Sequence, residues 1–185
     1  MIIVTGGAGF IGSNLVKALN EQGRNDIIIV DDLTDGRKTR NLTNLDYFDY
    51  IDCIDFDRAI AEGNFDCGSI DVVFHNGACS DTMEYNGRYI NHRIPFIYAS
   101  SASTYGYGHK GFRESPECEE ALNPYAYSKL FMDRYVRKFE NKLVSQVVGL
   151  RYFNVYGPNE CHKDKMASLV RQMFYKNQET GEITL

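Results

Sequence analysis

The chain has no Cys-x-x-Cys pair. Its five cysteines, Cys53, Cys67, Cys79, Cys118 and Cys161, are odd in number and widely spaced. That pattern supports neither a disulfide framework nor a zinc site, so no metal is expected; reduced thiols in a cytosol fit better. There is no basic tail, and the net charge is −5. A nucleic-acid partner is thereby disfavoured, because phosphate binding needs a basic face. No apolar run approaches the roughly 18 residues of a membrane span, so no membrane partner is expected. A strand-like "IIV" begins at residue 2 and leaves no room for a basic and apolar leader. Internal repeats and low-complexity tracts are missing too. What remains is a cytoplasmic chain of 185 residues, 43% hydrophobic and 24% charged, able to bury a core.

The hydrophobic pattern alternates between two periods. "MIIVTG" is a short β-branched run ending at glycine. From Phe10 onward, Ile11, Leu15, Ala18 and Leu19 recur with the period of a helix that buries one face, and Gly23 is placed to end it. "DIIIVDD", "IDVVFHN", "IPFIYASS" and "QVVGLRYFN" read as further buried strands. Residues 125–139 read as a long amphipathic helix with Phe131, Met132, Tyr135, Val136 and Phe139 on one side. Strands separated by helical stretches predict an α/β protein with a doubly wound parallel sheet of Rossmann type. One connection is anomalous. Only residues 77–93, polar and weakly periodic, are available to cross between two parallel strands, which ordinarily takes a helix.

"TGGAGFIGSN" sets Gly6, Gly9 and Gly12 between the first strand and the first helix. Glycines there allow a tight turn and close backbone approach, and the helix N-terminus offers unpaired N–H groups to a pyrophosphate. In that strand–turn–helix setting the pattern predicts dinucleotide binding. Asp31 and Asp32 close the second strand, where an acid normally meets the adenosine ribose and favours NAD. Arg37, Lys38 and Arg40 follow, and they suit either a 2′-phosphate or plain solvent. NADP and NAD both stay open on the residues alone.

"NPYAYSK", residues 123–129, sets two tyrosines before one lysine. Residues four apart on a helix share a face and residues two apart do not, so Tyr125 is the neighbour of Lys129, and Tyr127 is expected to pack elsewhere. An ammonium beside a phenol stabilises the phenolate and makes Tyr125 a proton acceptor. The preceding strand ends in "ASSAST", whose hydroxyls suit a substrate alcohol or carbonyl. Ser101 is the candidate there, with a strand-capping serine as the rival reading.

Gly6-Gly7-Ala8-Gly9-Phe10-Ile11-Gly12, "ASSASTYG" and Tyr125-x-x-x-Lys129 resemble the extended short-chain dehydrogenase/reductase superfamily. "FHNGACSDT", "YAYSKLFMDRYV" and "GLRYFNVYGPNECHKDKMAS" resemble, more narrowly, its ADP-L-glycero-D-manno-heptose 6-epimerase family. The resemblance implies an isomerase that inverts C6 of ADP-heptose by transient oxidation with bound NADP, in lipopolysaccharide core synthesis, and a homo-oligomer. It implies that Phe10 and Ile11 contact the cofactor pyrophosphate. Asp31, Asp32 and Lys38 would sit at its ribose, and His75, Asn76, Gly77, Ala78 and Cys79 would line it. Tyr125 and Lys163 would be the two acid/base groups, with Lys129 as partner of Tyr125. Asn154 and Val155 would lie between substrate and cofactor, and Lys165 would touch substrate. A second lysine of that family is replaced here near Cys53. Relative to it the chain also lacks about fifteen residues before Asn91, the length of a crossover helix. The implied organisation is an NAD(P)-binding domain over residues 1–160 and the start of a truncated substrate-binding region over 161–185. Two other readings stay open: another nucleotide-sugar epimerase or dehydratase, and a cofactor-binding fragment without turnover.

Overall fold

A computed structural model describes residues 1–77 and 93–182. Six strands form one parallel sheet: β1 (Ile2–Thr5), β2 (Ile27–Asp31), β3 (Asp49–Asp52), β4 (Val72–His75), β5 (Phe96–Ser101) and β6 (Val147–Tyr152). Their order is β3-β2-β1-β4-β5-β6. The first strand therefore pairs with β2 on one side, Ile3 against Ile28, and with β4 on the other, Ile3 against Val73. The chain reverses its direction of winding between β1 and β4, and in open α/β sheets that point opens a crevice at the strand ends.

Alternation along the strands sorts the core into two layers. Ile2, Val4, Ile27 and Ile29 pack with Val16 of helix α1 (Phe10–Glu21). Ile3, Ile28, Val30 and Val73 face the other way, toward Phe56 and Ile60 of α2 (Cys53–Glu62) and Met132 of α3 (Pro124–Phe139). Each fully buried Ile or Val contributes on the order of 1.5–3 kcal/mol, so these rows dominate the stability of the sheet. A fourth helix, α4 (Leu169–Thr180), buries none of its residues.

The doubly wound parallel sheet agrees with the sequence reading, and several details correct it. The buried face of α1 is Phe10, Gly12, Ser13 and Val16, with Leu15 and Leu19 at its margin and Ala18 exposed. Small residues there let the helix lie close to the turn that precedes it. Phe131 is 37% exposed, and α3 instead buries Ala126, Leu130, Met132 and Asp133. Strand β3 went unanticipated because "DYID" is polar and lies at the sheet edge, where one side needs no apolar cover. The α2 start is signalled after the fact by Asp52, whose carboxylate accepts from Ile54 N. The short connection before Asn91 lies outside the described residues.

Candidate active site

The glycine turn is as tight as its composition demands. Gly6 has a φ of +67°, and a Cβ on it would lie 2.7 Å from Gly77 N. A Cβ on Gly12 would lie 2.1 Å from the Gly6 carbonyl oxygen. Gly9 is the N-cap of α1 and supplies no side-chain cap, so the helix opens with its N-terminal N–H groups unaddressed by any capping side chain. A bare, side-chain-free helix start of this kind is suited to a pyrophosphate.

Asp31 braces this turn from the next strand. Its Oδ2 accepts from Ala8 N at 2.8 Å, and its Oδ1 accepts from Asp32 N at 2.7 Å and Lys38 Nζ at 2.9 Å. Lys38 also donates to the Asp32 backbone carbonyl at 2.9 Å, so its ammonium is held between the Asp31 carboxylate and that carbonyl. Asp32 accepts from Thr34 through both oxygens, and these bonds hold its carboxyl below its usual range. Arg37 is engaged by Asp35 and Asp164, while Arg40 is exposed. Of the three basic residues, Lys38 alone reaches the acids at the end of β2.

At the end of β4, the Thr5 hydroxyl lies 2.8 Å from His75 Nδ1 and accepts from Gly77 N at 3.4 Å, which locks the two strand ends together. The His75 ring stacks on Phe96. Burial, and then the nearby Lys129 ammonium, lower its pKa to about 4, so the imidazole is neutral. Asn76 Nδ2 is buried with no hydrogen-bond partner among the described residues. An orphaned donor beside the glycine turn fits a bound group that would accept from it. Ala78 and Cys79 lie outside the described residues.

Helix α3 starts where Asn123 caps it, its side chain accepting from Ala126 N at 2.8 Å, with Pro124 in the first turn. Lys129 Nζ lies 6.0 Å from the centre of the Tyr125 ring and donates to the Ala99 carbonyl at 3.0 Å. Burial pushes the Lys129 pKa down, and the charge of Asp133 opposes that shift. Tyr127, expected to pack, is 58% exposed, because its side of the helix faces away from the sheet. Ser101 Oγ accepts from Ser103 N at 3.1 Å and Ser103 Oγ at 2.9 Å. The capping role therefore holds, and the same residue also faces the cavity described below.

After β6, segment 157–168 folds back over the glycine turn. Asn159 donates to Ser13 Oγ at 3.0 Å, and Asn14 donates to the Pro158 carbonyl at 3.1 Å. Asn41 donates to the Ala8 carbonyl at 2.8 Å and lies beside His162. Lys163 Nζ stands 4.9 Å over the Phe10 ring. Glu160, 1% exposed, accepts from Gly157 N, Ser168 N and Ser168 Oγ and fixes the bend of the segment.

These pieces surround one cavity of about 1080 Å³ across the C-terminal ends of the strands. Gly6, Gly9, Phe10, Ile11 and Gly12 form its floor. Asp31, Asp32, Lys38 and Cys53 close one end. His75, Asn76 and Gly77 line it too, as do Ser101, Tyr125, Lys129, Asn154 and Val155, while Lys163 lines it over the Phe10 ring. Lys165 is exposed and does not line it, because the chain turns sharply at Asp164 (φ 46°, ψ −119°). Asp133, Glu160 and Asn41 were passed over in the sequence. Each is a polar residue whose importance comes from burial, and only Asp133, one turn beyond Lys129, carried a positional signal. Among the described residues no group of His, Cys, Asp and Glu is arranged to hold a metal ion.

The model of the NAD dependent epimerase/dehydratase family matches residues 2–185. The chain belongs to that family. It is 51% identical to ADP-L-glycero-D-manno-heptose-6-epimerase of Alkalilimnicola ehrlichii over 201 positions, covering all of this chain and 62% of the relative. The chain thus spans less than two thirds of that relative's length. Those 201 aligned positions against 185 residues leave at least 16 with no counterpart here. The same-named enzyme of Helicobacter pylori superposes with a TM-score of 0.79 at 31% identity, covering 98% of this chain and 64% of that structure. UDP-glucuronic acid 4-epimerase of Bacillus cereus, solved with NAD, gives 0.68 at 26% identity, covering 94% of this chain and 63% of that structure. A nicotinamide cofactor goes with membership of this epimerase/dehydratase family, and the glycine turn with the orphaned Asn76 amide fits one. No described helix is long and apolar enough to cross a membrane.

Proposed function

We propose that this chain carries the cofactor half and the acid/base groups of an ADP-glyceromanno-heptose 6-epimerase using NADP. The observation that supports the reading is one cavity lined by the glycine turn, by Tyr125 with Lys129, and by Lys163, which stands over Phe10 of that turn. Identity of 51% to a heptose epimerase across the whole chain supports the substrate class. A bound nicotinamide supplies the acceptor and donor of hydride at C6. Inversion then needs protons handled on two faces of one carbon, so two groups suit it better than one. Tyr125, with the Lys129 ammonium beside its ring, serves one face, and Lys163 serves the other. Asn154 and Val155 hold the sugar against the cofactor, and Ser101 donates to the reacting oxygen. Lys165 lies off the cavity wall and has no part in this assignment. Lys38, the single basic residue among those described that reaches the acids of β2, favours the 2′-phosphate of NADP over NAD. The reading places the protein in the cytoplasm as a homo-oligomer, with ADP-heptose as substrate.

The test is direct. Purified protein is titrated with NADPH and NADH by nicotinamide fluorescence, then incubated with ADP-D-glycero-D-manno-heptose and analysed for the C6 epimer. Tighter NADPH binding and appearance of the L-glycero product are expected. Cofactor binding without epimer would reduce the assignment to a cofactor-binding unit. A second reading, a sister epimerase of UDP-sugars, is favoured by the likeness to the Bacillus cereus 4-epimerase. Turnover of UDP-glucuronic acid in the same assay would select it.

A further inference from the structure

One helical turn beyond Lys129 lies a buried acid that the proposed chemistry does not use. Asp133 is 6% exposed on α3. Its Oδ1 accepts from the Tyr98 hydroxyl at 2.9 Å. Its Oδ2 accepts from the Ser100 hydroxyl at 3.0 Å and from Arg151 Nε and Nη2 at 3.0 and 2.9 Å. A carboxylate is tolerated at such depth when its oxygens are hydrogen-bonded and its charge is paired. All four bonds come from β5 and β6, so the acid joins the helix to the tips of two strands. Tyr98 and Ser100 flank Ala99, and the Ala99 carbonyl is the acceptor of the Lys129 ammonium.

We infer that Asp133 is a positioning residue for Lys129: it clamps Tyr98 and Ser100 so that the carbonyl between them holds the ammonium at the cavity wall, and its charge faces that ammonium from the next turn. Its bearing on catalysis rests on the proposed pairing of Lys129 with Tyr125; the clamp itself does not. Among the described residues the titratable groups around the ammonium are Tyr125 and Asp133 from α3 and His75 from β4, while Arg151 on β6 reaches Asp133 instead. Burial lowers the Lys129 pKa and Asp133 raises it. Removing the acid while the site stays dry therefore lowers it further. Mere loosening of the packing would admit water and move it back up. The two signs separate positioning by charge from generic support.

The experiment uses the full chain without cofactor, its lysines ¹³C-dimethylated and the Lys129 signal assigned with Lys129→Arg. In Asp133→Asn the Lys129 titration midpoint is expected to fall by about one pH unit, and Asp133→Glu is expected to restore most of it. An unchanged or raised midpoint in folded Asp133→Asn overturns the inference. Should that variant not fold, Tyr98→Phe with Ser100→Ala keeps the Asp133–Arg151 pair and cuts the clamp alone. The Lys129 signal should then shift as the Ala99 carbonyl is released; an unmoved signal overturns the inference. None of these readouts needs cofactor. Failure of the unmodified chain to bind NADPH or NADH would count against the proposed function and leave the lysine result standing.

Discussion

Two residues with similar visibility in the sequence end up with different physical duties. Tyr125 is 54% exposed at the mouth of the cavity, where a phenol can meet a substrate. On the proposed function, Tyr125→Phe is expected to lower epimerisation by about 10²–10⁴-fold, the range for a lost general base, with cofactor affinity by nicotinamide fluorescence unchanged. His75 sits under Phe96 and is neutral when folded. The unfolded chain takes up its proton near 6.5 and the folded chain only near 4, so acid favours unfolding. Stability should fall as the pH drops from about 6.5 to about 4, by no more than about 3 kcal/mol from this residue, and level off below. His75→Gln should flatten that part of the curve. A melting series across that range that looks the same for both chains would refute the assignment.

At the scale of elements, the β1–α1 turn and the start of α3 are both built locally, but they tolerate change differently. Asn123→Ala removes one capping acceptor from α3, and a loss of about 1 kcal/mol in denaturant unfolding is expected. Gly12→Ala sets a Cβ against the Gly6 carbonyl and the Gly7 Cα, both backbone, and neither can move aside as a side chain would. The cost there should reach about 3 kcal/mol, with cofactor binding lost even where the fold survives. Both elements were legible in advance because their signals are local: glycines after a β-branched run, and Asn-Pro before an amphipathic stretch. The buried side of each helix was less legible. Periodicity locates a stripe to within one position, and in α1 the side that approaches the glycine turn carries Gly12 and Ser13, which leaves Ala18 exposed.

Across the whole molecule, the two ends of the chain are joined by segment 157–168, which lies on the glycine turn through Asn159, Asn14 and Asn41. Glu160 is the pin of that segment. Glu160→Gln puts an amide where a carboxylate accepts three bonds, and about 2 kcal/mol should be lost. Limited proteolysis should then cut within 157–168 before any other region; an unchanged digestion pattern would mean that the strap is held by other contacts. Met166 within it and Leu169 and Val170 beyond it line the cavity, and Phe174 and Tyr175 of α4 are exposed.

The sequence by itself determined the fold class, the cofactor turn and the pairing of Tyr125 with Lys129, because strand period, helix period and glycine spacing are properties of neighbours along the chain. Lys163 was named through family resemblance and not through any pattern of its own, and it lines the cavity over Phe10. The tertiary structure alone decided what surrounds those groups. Asp31 turned out to be a brace of the turn, since its oxygens are met by Ala8 and Lys38 from other segments. Lys165 left the cavity wall, because the backbone reverses at Asp164. Asp133 became the link between helix and strands because burial leaves a carboxylate no solvent, so its partners must come from residues 18 to 35 positions away. No local pattern encodes partners at that distance; only the packing of α3 on the sheet brings them together.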